Sequence, residues 1–180
     1  YRLLQARAAQ GRPVGVGLIG AGKFGSMFLN QAPGTPGLEL LAIADLSIDR
    51  ARTACAAVSW DPARIAATRL YEDGVALCQN PEIEVVIEAT GHPAAGIRHA
   101  LAAIEAGKHV IMVNVEADVL AGPLLAERAR AQGVVYSMAY GDQPALTSEL
   151  VDWARTAGFS VVAAGKGTKY LPGYHSINPD

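Results

Sequence analysis

With 180 residues, 51% hydrophobic and 18% charged, the chain has the composition of a folded domain with a full core, which excludes a disordered segment. A net charge of −2 supplies no basic field for nucleic acid or an anionic membrane surface, and no run of 18 apolar residues or secretory h-region is present. Two cysteines, Cys55 and Cys78, make no disulfide framework and stand in no metal-ligand spacing; they read as free thiols of a reducing, cytoplasmic compartment.

Residues 1–11 carry Leu3, Leu4, Ala6, Ala8 and Ala9 among Arg and Gln, a pattern for a short amphipathic helix closed by Gly11. A first strand is predicted over 14–19. It runs directly into Gly20-Ala21-Gly22-Lys23-Phe24-Gly25, a GxGxxG turn, and a helix over 23–32. Such a turn suits a nucleotide pyrophosphate. Gly20 makes it tight, Gly22 lets the backbone approach the phosphates, and Gly25 lets helix and strand pack closely. The helix N-terminus, with Lys23 and Phe24 in its first turn, offers free N–H groups to the anion.

After the loop at 33–37, a second apolar strand over 39–44 ends in Asp45. That acid lies about 20 residues beyond the last glycine, where the dinucleotide fingerprint places a carboxylate for the adenosine ribose. Asp45 or Ser47 could instead cap the helix predicted over 49–58. Residues 59–68 hold a turn at Trp60-Asp61-Pro62 and a short helix. Residues 74–79 form another, stopped by Asn80-Pro81.

The β-branched run 85–87 reads as a buried parallel strand ending in Glu88-Ala89-Thr90-Gly91-His92-Pro93. Helix 94–106, strand 109–113, helix 117–132 (which Gly122-Pro123 could divide), strand 134–138, a helix opened by Gly141-Asp142-Gln143-Pro144 and running to 157, and a last strand over 159–164 complete the alternation. Alternating β and α with short connections predicts an α/β fold: a doubly wound Rossmann-type parallel sheet with helices on both faces. The expected organisation is an N-terminal helix over 1–11, a dinucleotide-binding domain over 12–165, and the start of a substrate domain over 166–180. The chain does not begin with Met, and its last five residues close no element, as expected of a piece of a longer protein with most of that second domain elsewhere.

Ligands of doubly wound sheets bind beyond the carboxyl ends of the strands, so strand-end residues are the candidate site. Ala89, Thr90 and Gly91 are small enough for the nicotinamide ribose and diphosphate to pass, or form an ordinary turn before Pro93. Glu88 is either a buried, paired carboxylate or a cleft residue. Asn114 is read toward the nicotinamide and Glu116 as a helix cap. Lys166 and Lys169 could stabilise a developing alkoxide or deliver a proton, against the alternative of two solvated charges. Of the four histidines, His92 alone falls near the cleft. His99 and His109 read as surface or structural. Gly122-Pro123 and the apolar face Leu146, Leu150, Trp153 suit either a homo-oligomer interface or core packing.

Gly-Leu-Ile-Gly-Ala-Gly-Lys-Phe-Gly (17–25), Ile-Ala-Asp-Leu (43–46), Val-Ile-Glu-Ala-Thr-Gly (86–91), Ala-Gly-Lys-His-Val-Ile-Met-Val-Asn-Val-Glu-Ala-Asp (106–118), Ala-Tyr-Gly-Asp-Gln-Pro (139–144) and Gly-Lys-Gly-Thr-Lys-Tyr-Leu-Pro (165–172) follow one another. The set resembles the homoserine-dehydrogenase-like oxidoreductases with a C-terminal SAF domain. Within them it is most similar to the bacterial 1-deoxy-D-xylulose 5-phosphate reductoisomerase-like enzymes. The resemblance implies NADPH-dependent reductive isomerisation of that sugar phosphate to 2-C-methyl-D-erythritol 4-phosphate, in isoprenoid precursor synthesis, with a divalent metal in the full-length enzyme. Homoserine dehydrogenases usually carry a lysine after the asparagine matched by Asn114; here Val115 stands there. Asp45 argues for NAD and the resemblance for NADP, with Arg50 or Arg52 placed to meet a 2′-phosphate. The remaining alternatives are homoserine dehydrogenase, a related sugar or hydroxy-acid dehydrogenase, and a dinucleotide-sensing module without chemistry.

Overall fold

The computed structural model describes residues 1–141 and 143–165. One compact unit spans Tyr1–Ala139, and a second begins at Tyr140. The first unit runs α1 (Arg2–Ala9), β1 (Val14–Ile19), α2 (Lys23–Gln31), a short 3-10 turn (Ala32–Gly34), β2 (Leu38–Ala44), α3 (Ile48–Ala57), α4 (Pro62–Ala67), β3 (Arg69–Tyr71), α5 (Gly74–Cys78), β4 (Val85–Glu88), α6 (Pro93–Glu105), β5 (His109–Met112), α7 (Val115–Gln132) and β6 (Tyr136–Met138). The second unit carries α8 (Gln143–Thr156).

The six strands form one sheet in the order β3-β2-β1-β4-β5-β6, and every neighbouring pair is parallel. Strand side chains alternate between faces, so each apolar run feeds two cores. Leu18, Leu40, Ile43 and Ile87 pack with Leu29, Ala51, Cys55 and Trp60 from the α2–α4 side. Ile19, Ala42, Val86, Val110 and Met112 pack on the other face with Leu77, Ala103, Ile104 and Leu125 from α5–α7. Trp60 is anchored by its indole N–H, which donates to the Leu29 carbonyl at 2.8 Å, and Arg64 stacks over its ring.

The strand order reverses between β1 and β4, and this sets the place of the site. Val16 to Ile19 of β1 stand in register with Val85 to Glu88 of β4, so Ile19 and Glu88 end side by side. Their loops leave the sheet at the same, carboxyl end of the strands.

Three elements differ from expectation. The run 159–164 forms no strand: Phe159 is 70% and Val162 97% exposed, and an apolar, β-branched run without a strand to pair with stays irregular. β3 is an edge strand of three residues, too short for a periodic pattern, and it exists because Arg69, Leu70 and Tyr71 find partners on β2. α7 passes through Pro123 unbroken. The carbonyl that Pro123 leaves unpaired belongs to Val119, which is exposed, so water can satisfy it. The compact units divide after Ala139.

Candidate functional site

The loop after β1 is built from backbone. Gly20 has φ +100, and a Cβ there would meet the Ala89 carbonyl oxygen at 2.7 Å, so only glycine turns the chain this closely against the neighbouring strand end. Its N–H donates to Ala44 O at 2.8 Å, tying the loop to β2. Gly25, in the first turn of α2, lies so near the Gly20 carbonyl that a Cβ would overlap it. At Gly22, the N-cap of α2, a Cβ would meet nothing within 4 Å, and no side chain caps this helix end. The first-turn N–H groups therefore remain available to an anion, with open space over Gly22 for it.

Asp45 closes the loop from the side of β2. It is 6% exposed. Its Oδ2 accepts the Ala21 N–H at 2.9 Å, and its Oδ1 accepts Arg50 Nε at 2.7 Å and the Ser47 N–H at 3.2 Å. Arg50 adds a second contact from Nη2 at 2.5 Å, while its own side chain stays 59% exposed. Capping of α3 falls to Ser47, whose hydroxyl accepts the Arg50 N–H. The carboxylate thus holds the glycine loop, and the guanidinium is the group turned outward.

The loop after β4 is built from side chains. Glu88 is wholly buried. Its Oε1 accepts the Thr90 hydroxyl at 2.6 Å and lies 3.1 Å from His99 Nδ1, while Oε2 has no hydrogen-bond partner. Asn114, 2% exposed, is the N-cap of α7: its Oδ1 accepts the Ala117 N–H at 3.1 Å. Its amide donates to His92 O at 3.0 Å and more weakly to Thr90 Oγ1 at 3.4 Å. Of the two alternatives for Glu88, the buried, paired one holds. Asn114 rather than Glu116 caps α7, because only the residue before the helix can fold back onto the second and third N–H groups. His92 caps α6 through Nδ1, and His109 Nδ1 accepts the Val135 N–H at 2.9 Å.

Between these loops lies a cavity of about 480 Å³. It brings together Gly20, Gly22, Asp45, Arg50, Ala89 and Thr90 from the expected set. Gly25 sits beneath the loop, and Asn114 stands behind the Thr90 wall with its polar atoms bonded internally. Lys23, Phe24 and Gly91 belong to the adjoining loop ends without lining the cavity. Lys166 and Lys169 lie outside the described residues. The sequence reading missed Asp73, Gly74, Arg98 and His99 as lining residues. Gly74 opening a short helix and Gly96 inside α6 were the available signals, since glycine at a helix surface marks close approach. A Cβ on Gly74 would strike His99 Nε2 at 2.7 Å, and one on Gly96 would strike Asn114 Nδ2 at 2.6 Å.

The remaining reactive groups are quiet. Burial pushes the Cys78 thiol up to about 12, with Asp73 adding to the shift, and burial also raises Cys55. Burial and the hydrogen bond to Asp118 hold the Tyr136 phenol above its ordinary value. Among the described residues no cluster of three His, Cys, Asp or Glu could hold a metal, and no helix is long and apolar enough to cross a membrane.

The residues fit a nicotinamide dinucleotide: an uncapped helix end and open glycine for the pyrophosphate, and a polar strand end for the adenosine ribose. Comparison with known proteins agrees. The chain is 43% identical over 72 residues to a 1-deoxy-D-xylulose 5-phosphate reductoisomerase of Pseudomonas putida, an alignment covering 38% of this chain and 18% of that protein. Among solved structures, an NAD-binding oxidoreductase from Klebsiella pneumoniae superposes with a TM-score of 0.58 at 26% identity, over 81% of this chain and 39% of that one. A biliverdin reductase from Synechocystis, solved with biliverdin and NADP+, gives 0.60 at 23% identity, over 80% of this chain and 42% of that one. The chain therefore spans less than a fifth of that curated relative and about two fifths of these structures. Residues 141–180 match the catalytic domain of the oxidoreductase DRL. Residues 14–140 match the oxidoreductase family GFO/IDH/MocA, NAD-binding Rossmann fold, and the chain belongs to that family.

Proposed function

We propose that this chain is the dinucleotide-binding part of an NADPH-dependent oxidoreductase of the reductoisomerase-like type, acting on a sugar phosphate. The observation that carries the cofactor choice is the state of Asp45. Both of its oxygens are engaged, by Ala21 and by Arg50, and Arg50 is the exposed charge on the cavity wall. A ribose 2′-phosphate approaching this strand end meets a guanidinium in place of a free carboxylate. Bound NADPH would supply a hydride to a carbonyl carbon of the substrate. This chain's residues would bind the pyrophosphate at Gly20 to Gly25 and hold the nicotinamide side against Ala89, Thr90 and Gly91, with Asn114 positioning that wall.

The DRL match and the partial reductoisomerase relatives support 1-deoxy-D-xylulose 5-phosphate as the substrate, with a divalent metal supplied in the longer protein. Lys166 and Lys169 are the proposed groups for the substrate oxygen. Competing titrations with NADPH and NADH test the cofactor, with NADPH expected to bind at least tenfold more tightly and Arg50→Ala to erase most of that margin. Tighter NADH binding by the wild-type protein would refute it. Turnover of the sugar phosphate by the full-length protein, with and without Lys169→Ala, tests the reaction; a full-rate variant removes that lysine from the chemistry.

A further inference from the structure

The cavity wall holds a polar atom that the pyrophosphate loop does not use. His99 of α6 is 5% exposed and lines the cavity. Its Nδ1 faces Glu88 Oε1 at 3.1 Å. Glu88 also receives the Thr90 hydroxyl on that oxygen. With Nδ1 assigned as the donor to Glu88, Nε2 of the imidazole is left as an acceptor. Nε2 finds no partner among the described residues and lies against Gly74, where any Cβ would strike it at 2.7 Å. Gly74 lines the same cavity. An acceptor in the cavity wall with no protein donor is open to a donor carried by a ligand.

The chemistry of that donor follows from the cavity's position. Asp45 and Arg50 mark the ribose end of the adenosine half, and Ala89, Gly74 and His99 of α6 line the same cavity. Adenine joined to ribose has a single N–H donor group, its 6-amino group. We propose that His99 Nε2 accepts a hydrogen bond from that amine, and that the Glu88–His99 pair thereby selects a 6-amino purine over a 6-oxo purine. Glu72 and Asp73 also border the cavity, but both are exposed, and Asp73 Oδ1 already caps the Val75 N–H at 3.0 Å. Those two residues are exposed, whereas His99 as a whole is only 5% exposed. The assignment rests on the dinucleotide reading of the cavity.

The probe is nicotinamide hypoxanthine dinucleotide phosphate, in which a carbonyl replaces the amine, titrated beside NADP+ by calorimetry. The wild-type protein should bind the hypoxanthine form about tenfold more weakly or worse, because two acceptors then face each other. His99→Leu should bring the two affinities within about twofold, while His99→Gln, whose amide oxygen can accept from the amine, should restore part of the gap. The Glu72→Gln, Asp73→Asn double variant should leave the gap intact. Equal affinities in the wild-type protein overturn the proposal without recourse to any variant. So does tighter hypoxanthine binding, a gap that survives in folded His99→Leu, or one that vanishes in the double variant. If neither dinucleotide binds, the dinucleotide reading falls and the proposal with it.

Discussion

The loops after β1 and β4 stand side by side at the carboxyl ends of the two central strands and are made by opposite means. The first is shaped by what its residues lack: three glycines let the backbone of α2 approach β1 and leave the helix end uncapped. The second is shaped by what its residues carry. Glu88, Thr90, His99 and Asn114 form a buried network joining β4, α6 and α7. A backbone loop can present N–H groups to any pyrophosphate. A side-chain network fixes one geometry, and it makes the fold depend on polar groups that all need partners. Damage to the first should therefore be read in binding, and damage to the second in stability.

The largest expected effect is on the network. Glu88→Ala leaves the Thr90 hydroxyl and His99 Nδ1 without their acceptor in the core. The expected loss is about 2–5 kcal/mol in chemical denaturation, about 1–3 for each of the two donors left unsatisfied. Glu88→Gln keeps an acceptor and should lose less than half of that; equal losses would show that the hydrogen bonds are not what Glu88 provides.

A smaller effect is expected at the glycine loop, and two neighbouring changes there sharpen the contrast. Gly25→Ala drives a methyl into the Gly20 carbonyl and should cost about 1–3 kcal/mol of stability together with cofactor affinity. Gly22→Ala meets open space at an ordinary φ of −75, so stability should change by less than about 0.5 kcal/mol. Its affinity for NADP+ should still fall, since the methyl enters the space offered to the phosphates. A Gly22→Ala protein with wild-type affinity would remove Gly22 from the binding loop.

Asn114→Ala comes next. Losing the cap of α7 should cost about 1 kcal/mol, with a further part from its amide bonds to the β4 loop. Equal melting temperatures of variant and wild type would contradict this.

The smallest effect lies far from both loops, where Arg7 of α1 pairs with Glu84. Partial burial alone would raise the Glu84 carboxyl, but the Gly15 N–H and the Arg7 side chain outweigh it and hold it below the usual range. A carboxyl lowered on folding stabilises above its unfolded value, about 4.3 for Glu, and this is lost as pH falls through the lower folded value. Both side chains are more than a third exposed, so the pair contributes at most about 1 kcal/mol. The stability gap between wild type and Arg7→Ala should be present at pH 7 and close toward pH 3. A gap that stays constant would assign it to packing instead.

The same contrast explains how much of the site was legible beforehand. GxGxxG, the strand at Val14–Ile19 and Asp45 could be read because each depends on residue type at a fixed spacing along one segment. The role of Asp45 could not be read in full. Its pairing with Ala21 and Arg50 requires the turn after β1 to fold back beside the end of β2. His99 read as structural and Asn114 as ligand-facing, yet His99 lines the cavity and Asn114 lies behind its wall. Helical periodicity says which side of α6 is buried, and it does not say that a cavity opens against that side.

The sequence by itself determined the alternation of parallel strands and helices, the place of the phosphate loop and the class of ligand it suits. These follow from side-chain periodicity and from the conformations that glycine alone permits. Only the tertiary structure decided that β3 pairs while the run 159–164 does not, and that Asp45 turns inward while Arg50 turns out. It alone joined Glu88 to a histidine 11 residues away and Thr90 to an asparagine 24 residues away. Such choices depend on which partner stands within hydrogen-bonding reach, and reach is set by the packing of separate segments.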